Sequence, residues 1–216
     1  KTLVKLDEAS NALKQIAKSG RKILFVATKN QAKDIVAEKA KEVNMPYVTE
    51  RWSGGMLTNF GTIRKAIKKM SQIDKMEADG TMNILSKRER LQITRQRAKL
   101  EKNLGSIANL TRIPSAIFIV DVLKEKIAVS EAKKLGIKIF AIIDTNSDPS
   151  GIDFPIPAND DATKSISLIM DVVTDAMLQG LSERKLDKEK QQKQAKTKKA
   201  APAKSETAKP VTEAKA

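Results

Sequence analysis

Apolar positions along the chain follow two rhythms. Leu3, Leu6, Ala9, Leu13, Ile16 and Ala17 recur every three or four residues, which predicts an amphipathic helix over 3–19 that Gly20 stops. Ile23-Leu24-Phe25-Val26-Ala27 is instead an unbroken apolar run, as expected of a strand covered on both faces of a parallel sheet. Thr28 is then placed to cap a second helix, with Ala32, Ile35, Val36 and Ala40 as its buried stripe. Asn44 and Pro46 end that helix, and Tyr47-Val48-Thr49 makes a brief strand. The same grammar resumes after Pro114. Ala116–Asp121 reads as a strand, and 124–136 as a helix with Ile127, Ala128, Ala132 and Leu135 inward and Gly136 as its stop. Ile137–Ile143 reads as another strand. Ile152–Pro157 is interrupted by prolines and belongs at a sheet edge. Asn159-Asp160-Asp161 starts a last helix, expected to run to about Leu181 with Ile166, Ile169, Met170, Val173 and Met177 inward. Alternating helices and strands predict an α/β, doubly wound, mostly parallel sheet.

Between the two halves the rhythm changes. Ile63, Ile67, Met70 and Ile73 form a narrow seam flanked by Arg64, Lys65, Lys68 and Lys69. After Asp79-Gly80, Ser86-Lys87-Arg88-Glu89 is a capping box that opens a second helix. There Ile93, Leu100 and Ile107 repeat every seven residues, with Leu104 as a second seam position but Arg97 one heptad earlier. Thin seams joined by a turn predict an antiparallel helical hairpin, because a helix packed on a core shows a wider apolar stripe. The expected organisation is a body of residues 1–59 and 113–181, an arm of 60–112, and a Lys-rich tail of 182–216. From about Leu186 the tail has few apolar anchors and is expected to be disordered.

Charge sharpens this division. The 216 residues carry +15. Residues 50–112 hold fourteen Lys/Arg against six Asp/Glu, and 182–216 hold eleven against five, which leaves +1 for all the rest. Basic charge confined to two pieces is the footprint of phosphate binding. Only 3% of residues are aromatic, too few for a sheet that reads single strands by stacking, so binding through phosphates and shape is expected. Without cysteine there is no disulfide or thiolate site, and without histidine there is no Ser-His or Cys-His pair. No apolar run reaches the roughly 18 residues of a membrane span. Lys1–Leu6 reads like the interior of a longer protein.

Other chemistry is weakly supported. Thr28-Lys29-Asn30 follows the first strand where a glycine-rich dinucleotide loop would stand, and no P-loop occurs. Asp121, Asp144 and Asp148 fall at strand ends and could share one rim as a magnesium or catalytic site, but Asp-rich turns account for them more simply. Gly54-Gly55 suits a sharp exit from body to arm. Trp52 could stack on a base or plug the junction between arm and body.

Arg51-Trp52-Ser53-Gly54-Gly55-Met56-Leu57-Thr58-Asn59-Phe60 closely resembles the RW-x-GGMLTN signature of the bacterial small-subunit ribosomal protein two family. Lys99–Ile107, Ala141–Pro149 and Ile156–Ala162 resemble the same family in the same order, so the likeness covers roughly 1–181. It implies a flavodoxin-like three-layer body with a protruding coiled-coil hairpin. It also implies a non-enzymatic protein of the cytoplasmic ribosome that binds 16S rRNA near the head–body junction of the 30S subunit. Ribosomal protein one and neighbouring small-subunit proteins are the implied protein partners. No cofactor, metal, membrane or small-molecule substrate is expected. A freestanding RNA-binding regulator on the same fold is the alternative. The family's N-terminal segment, with its GVHFGH motif and first strand, has no counterpart before Lys1, so its occasional metal binding does not carry over. Residues expected near RNA are Arg51, Trp52 and Asn59 from the signature, and Arg64, Lys65, Lys68 and Lys69 from charge and position.

Overall fold

A computed structural model of the chain describes the backbone of residues 1–199 and the side chains through Asp187. Helix α1 (Thr2–Ser19) leads into β1 (Ile23–Val26), α2 (Asn30–Glu42) and β2 (Tyr47–Val48). The arm follows as α3 (Phe60–Ala78), a 3-10 turn (Thr81–Ile84), α4 (Lys87–Leu104) and a second 3-10 turn (Gly105–Ile107). The body then continues through β3 (Ala116–Val120), α5 (Lys126–Leu135), β4 (Lys138–Ile143), β5 (Phe154–Pro157) and α6 (Thr163–Lys199). All strand pairs are parallel, in the order β2-β1-β3-β4-β5, which is the flavodoxin-like order.

The sheet separates two apolar layers, and the period of two decides which residue enters which. Ile23 and Phe25 of β1, Phe118 of β3 and Phe140 of β4 join the core under α1, α2 and α6. Leu24, Val26, Ile117, Ile119, Ile139 and Ala141 enter the opposite core, under α5 and the base of the arm. Strand register brings Phe25, Phe118, Phe140 and Phe154 into one row across four strands. Phe25 and Phe118 lie 5.5 Å apart, and Phe140 stacks on Phe154 at 4.5 Å. Each fully buried ring contributes roughly 1.5–3 kcal/mol by transfer from water. Pro155 and Pro157 sit on the edge strand β5, where a missing N–H does no damage. In the layer that covers the phenylalanine row, α6 crosses close over α1, because Gly180 has no Cβ to meet the Lys14 carbonyl.

Several expectations change. Helix α6 does not end near Leu181 but runs to Lys199; residues 200–216 of the expected tail lie outside the described residues. A helix already nucleated on the core propagates through Glu, Lys, Gln and Ala, and no Gly or Pro interrupts the sequence between Leu181 and Lys199. Salt bridges from Lys14 and Lys18 to Glu183, at 2.8 and 3.0 Å, tie its first extra turn to α1. Thr28 does not cap α2; its hydroxyl and its N–H both donate to buried Glu125. Leu3, Ile127 and Leu135 are exposed rather than inward, since Ala128, Val129, Glu131 and Ala132 form the buried side of α5.

Candidate nucleic-acid interface

The loop between β2 and α3 is built around one carboxylate. Glu131 of α5 is buried, and its Oε1 accepts from the Trp52 indole N–H at 3.2 Å and the Gly55 N–H at 2.7 Å. Its Oε2 accepts from the N–H groups of Leu57 and Thr58 at 2.9 and 3.0 Å and from the Thr58 hydroxyl at 3.2 Å. Five converging donors replace the water that burial removes. Burial by itself would raise the Glu131 pKa, but the N–H groups of Thr58, Leu57 and Gly55 with the Trp52 indole outweigh it and hold the carboxyl below its ordinary value. Gly55 has φ +84°, a left-handed conformation that lets successive N–H groups turn toward one acceptor. Met56 and Leu57 are driven into the core by the same turn.

From this clamp the arm leaves the body. Asn59 N–H donates to the Gly55 carbonyl at 2.8 Å, and the Asn59 side chain accepts from the Thr62 hydroxyl at 2.9 Å. Phe60, Ile63, Ala66 and Ile67 of α3 and Leu100 of α4 pack against the same core as the loop. Leu104, Ile107 and Leu110 are fully part of that core, so the last residues assigned to the arm belong structurally to the body. Further out Met70 and Ile73 are buried between the helices, and Met82 closes the tip. The gap in the heptad seam is filled by chemistry: Arg97 donates to Asp74 across the hairpin at 2.5 Å. The capping box at Ser86 and Glu89 is present in both directions.

Of the seven residues expected near RNA, six present exposed side chains. Arg51 precedes the clamp, Asn59 begins α3, and Arg64, Lys65, Lys68 and Lys69 follow on it. Arg64 also donates to the Thr111 carbonyl at 2.8 Å, which braces the arm against the loop before β3. Among the described residues no carboxylate is ion-paired with Arg51, Lys65, Lys68 or Lys69. Trp52 is different. It is 7% exposed and bound to Glu131, which fits a plug between arm and body rather than a ring free to stack on a base. The sequence reading missed Glu131, whose one signal is an acid on the buried side of α5. On α4, Arg88, Arg95, Lys99 and Lys102 are also exposed, spaced seven, four and three apart, and Lys102 lies 3.4 Å from Glu50.

The carboxyl end of the sheet holds a separate polar cluster. Lys29 places its ammonium 2.8 Å from Asp160, 2.6 Å from Asp161 and 3.7 Å from Asp121. This fills the crevice between β1 and β3 where flavodoxin-like folds take ligands. Among the described residues the less favoured Asp121, Asp144 and Asp148 rim does not assemble; the carboxylates that gather are Asp144, Asp160 and Asp161, with oxygens within 4.8 Å. Asp148 and Asp144 instead accept from the N–H groups of Ser150 and Thr145 at 2.8 and 2.6 Å, as turn residues do. No described helix is long and apolar enough to cross a membrane.

Comparison with known proteins agrees with the signature loop and its setting. The model of the family described as Ribosomal protein S2 matches residues 1–180. A protein of Phocaeicola vulgatus named small ribosomal subunit protein uS2 is 71% identical over 188 residues, covering 87% of this chain and 67% of its own length. One of the same name from Flavobacterium johnsoniae is 67% identical over 189 residues, covering 88% and 74%. The chain belongs to the Ribosomal protein S2 family.

Proposed function

We propose that this chain is a structural component of the small ribosomal subunit that binds 16S rRNA near the head–body junction and supports translation. Its role is non-enzymatic. Docking of ribosomal protein one and contacts with neighbouring small-subunit proteins belong to the same proposal. The observation that carries it is the row Lys65, Lys68 and Lys69, without a carboxylate partner among the described residues, on a helix whose root is locked into the body by Glu131. A rigid cationic prong meets a folded polyanion without paying for its own ordering, and counterion release supplies the affinity.

The partner of the row is tested by salt. Wild-type protein is expected to co-migrate with 30S particles and to leave them only in strong salt. Replacing Lys65, Lys68 and Lys69 with Gln should reduce the log–log salt slope of 16S rRNA binding by roughly 0.9 per lost duplex contact. An unchanged slope means that the row faces solvent in the particle. Particles reconstituted without this chain should also fail to retain ribosomal protein one.

A further inference from the structure

Two cations of the nearly neutral body, Arg21 and Lys22, meet three from the segments that adjoin it, Arg112, Arg184 and Lys185. At the amino-terminal end of the sheet, the segments entering β1, β2 and β3 enclose two clefts that share Gly20, Arg21 and Lys22 as a common wall. One, of about 600 Å³, is bounded on its far side by Arg184 and Lys185 of α6. The other, of about 370 Å³, is bounded by Thr111 and Arg112. Five cations therefore line the pair. The lone lining acid is Glu42, itself held by Lys39 at 3.3 Å. Among the described residues none of the five cations has a carboxylate partner.

The wall is fixed in place. Lys22 donates to the Asn44 carbonyl at 2.6 Å, which joins the lead-in of β1 to that of β2. Gly20 has φ +76°, and the Arg184 guanidinium occupies the space where a side chain at position 20 would begin. Arg184 is thereby laid over the backbone at the cleft mouth. The second cleft ends at Thr111, whose carbonyl is held by Arg64 of the arm. Cations thus continue from Lys185 through Arg21 and Arg112 to Arg64 and the Lys65, Lys68 and Lys69 row. The carboxyl end of the same sheet carries Asp121, Asp144, Asp148, Asp160 and Asp161. Helix carboxyl ends at the cationic side attract such residues, but they do not by themselves leave grooves between them.

We infer that these joined clefts are a second binding site, for the phosphodiester backbone of RNA, continuous with the root of the arm. The inference rests on the proposed function. A backbone strand fits because grooves lined by unpaired Arg and Lys, with few aromatic rings, recognise phosphate rather than base. Arg serves here better than Lys, since its planar fork grips two phosphate oxygens.

The test compares four full-length proteins binding 16S rRNA across a salt series: wild type, Arg21→Gln/Arg112→Gln/Arg184→Gln, the same three positions changed to Lys, and Lys65→Gln/Lys68→Gln/Lys69→Gln. Trp52 emission checks that each is folded. The Gln cleft variant should lose roughly 2 to 3 from the log–log slope, at about 0.7 to 0.9 per contact. The Lys variant should recover most of the slope, and photocrosslinks from 4-thiouridine-substituted rRNA should map to 20–22 and 109–115. A cleft variant with wild-type slope, beside an arm variant with a reduced one, overturns this inference and leaves the proposed function standing. So does a cleft variant that is less stable but binds normally, because its cations then serve only the helix ends. Wild-type protein that fails to bind rRNA overturns both.

Discussion

Glu131→Gln preserves the size of the side chain and removes its charge and one of its two acceptor oxygens. The remaining oxygen can serve either Trp52 and Gly55, or Leu57 and Thr58. Whichever way the amide turns, its NH₂ faces at least two donors. Hydrogen bonds to a charged acceptor contribute about 1.5–3 kcal/mol each, so losing two costs about 3–6 kcal/mol before relaxation. The loop can escape part of that cost by undocking, and the global loss then stops at the free energy of local opening. Urea unfolding therefore has to be read together with Trp52, the one tryptophan of the chain and a member of the clamp. The expected result is a loss of about 3–5 kcal/mol, or a smaller loss with red-shifted, quencher-accessible Trp52 emission. Stability within about 0.5 kcal/mol of wild type, with unchanged emission, would refute the role given to Glu131. Acid supplies an independent check. The folded Glu131 pKa is depressed, so its contribution is complete above the unfolded value of about 4.3 and fades as pH falls through the folded one. Trp52 should be released in that acid window in wild type. Glu131→Gln should lose this portion of the pH profile.

Two further substitutions probe the body. Gly180→Ala would gain up to about 1 kcal/mol in an ordinary helix, but here the new Cβ strikes the Lys14 carbonyl and lies 3.3 Å from Ala17 Cβ, so a net loss of about 1–3 kcal/mol is expected by urea titration. A stabilised Gly180→Ala protein would mean that α1 and α6 are not in close contact. Lys29→Met leaves fully buried Asp160 without its cation and should cost about 3–5 kcal/mol in calorimetry. Burial opposes the charge on Lys29, yet its bonds to Asp160 and Asp161 raise its pKa, so the deficit should hold from neutral pH to about 10.4 and close only above it. A deficit that closes already at pH 9 would contradict the pairing.

Local signals were faithful where one residue type enforces one geometry. Gly20 and Gly136 take left-handed φ at helix ends, and Pro155 and Pro157 confine β5 to an edge. They failed where two roles compete for one position. Periodicity turned Ile127 and Leu135 inward, whereas the acceptor needed by the signature loop rotates α5 so that Glu131 takes the buried side. Thr28 carried a capping residue's chemistry and spent it on Glu125, a partner 97 residues away. The end of α6 was placed too early because the apolar stripe stops near Leu181, although a helix anchored upstream needs only favourable propensity to continue.

Sequence alone determined the order of helices and strands, the basic character of the arm and the motif that opens it, since each is a sum or a period over neighbouring residues. Only the tertiary structure decided that four phenylalanines form one row, that Trp52 is a plug, and that Arg21 and Lys22 of the body meet Arg112, Arg184 and Lys185 at one end of the sheet while aspartates gather at the other. Those properties depend on strand register and on which distant segments meet. Net charge is additive along a chain, but the field a partner feels depends on where the fold puts each charge.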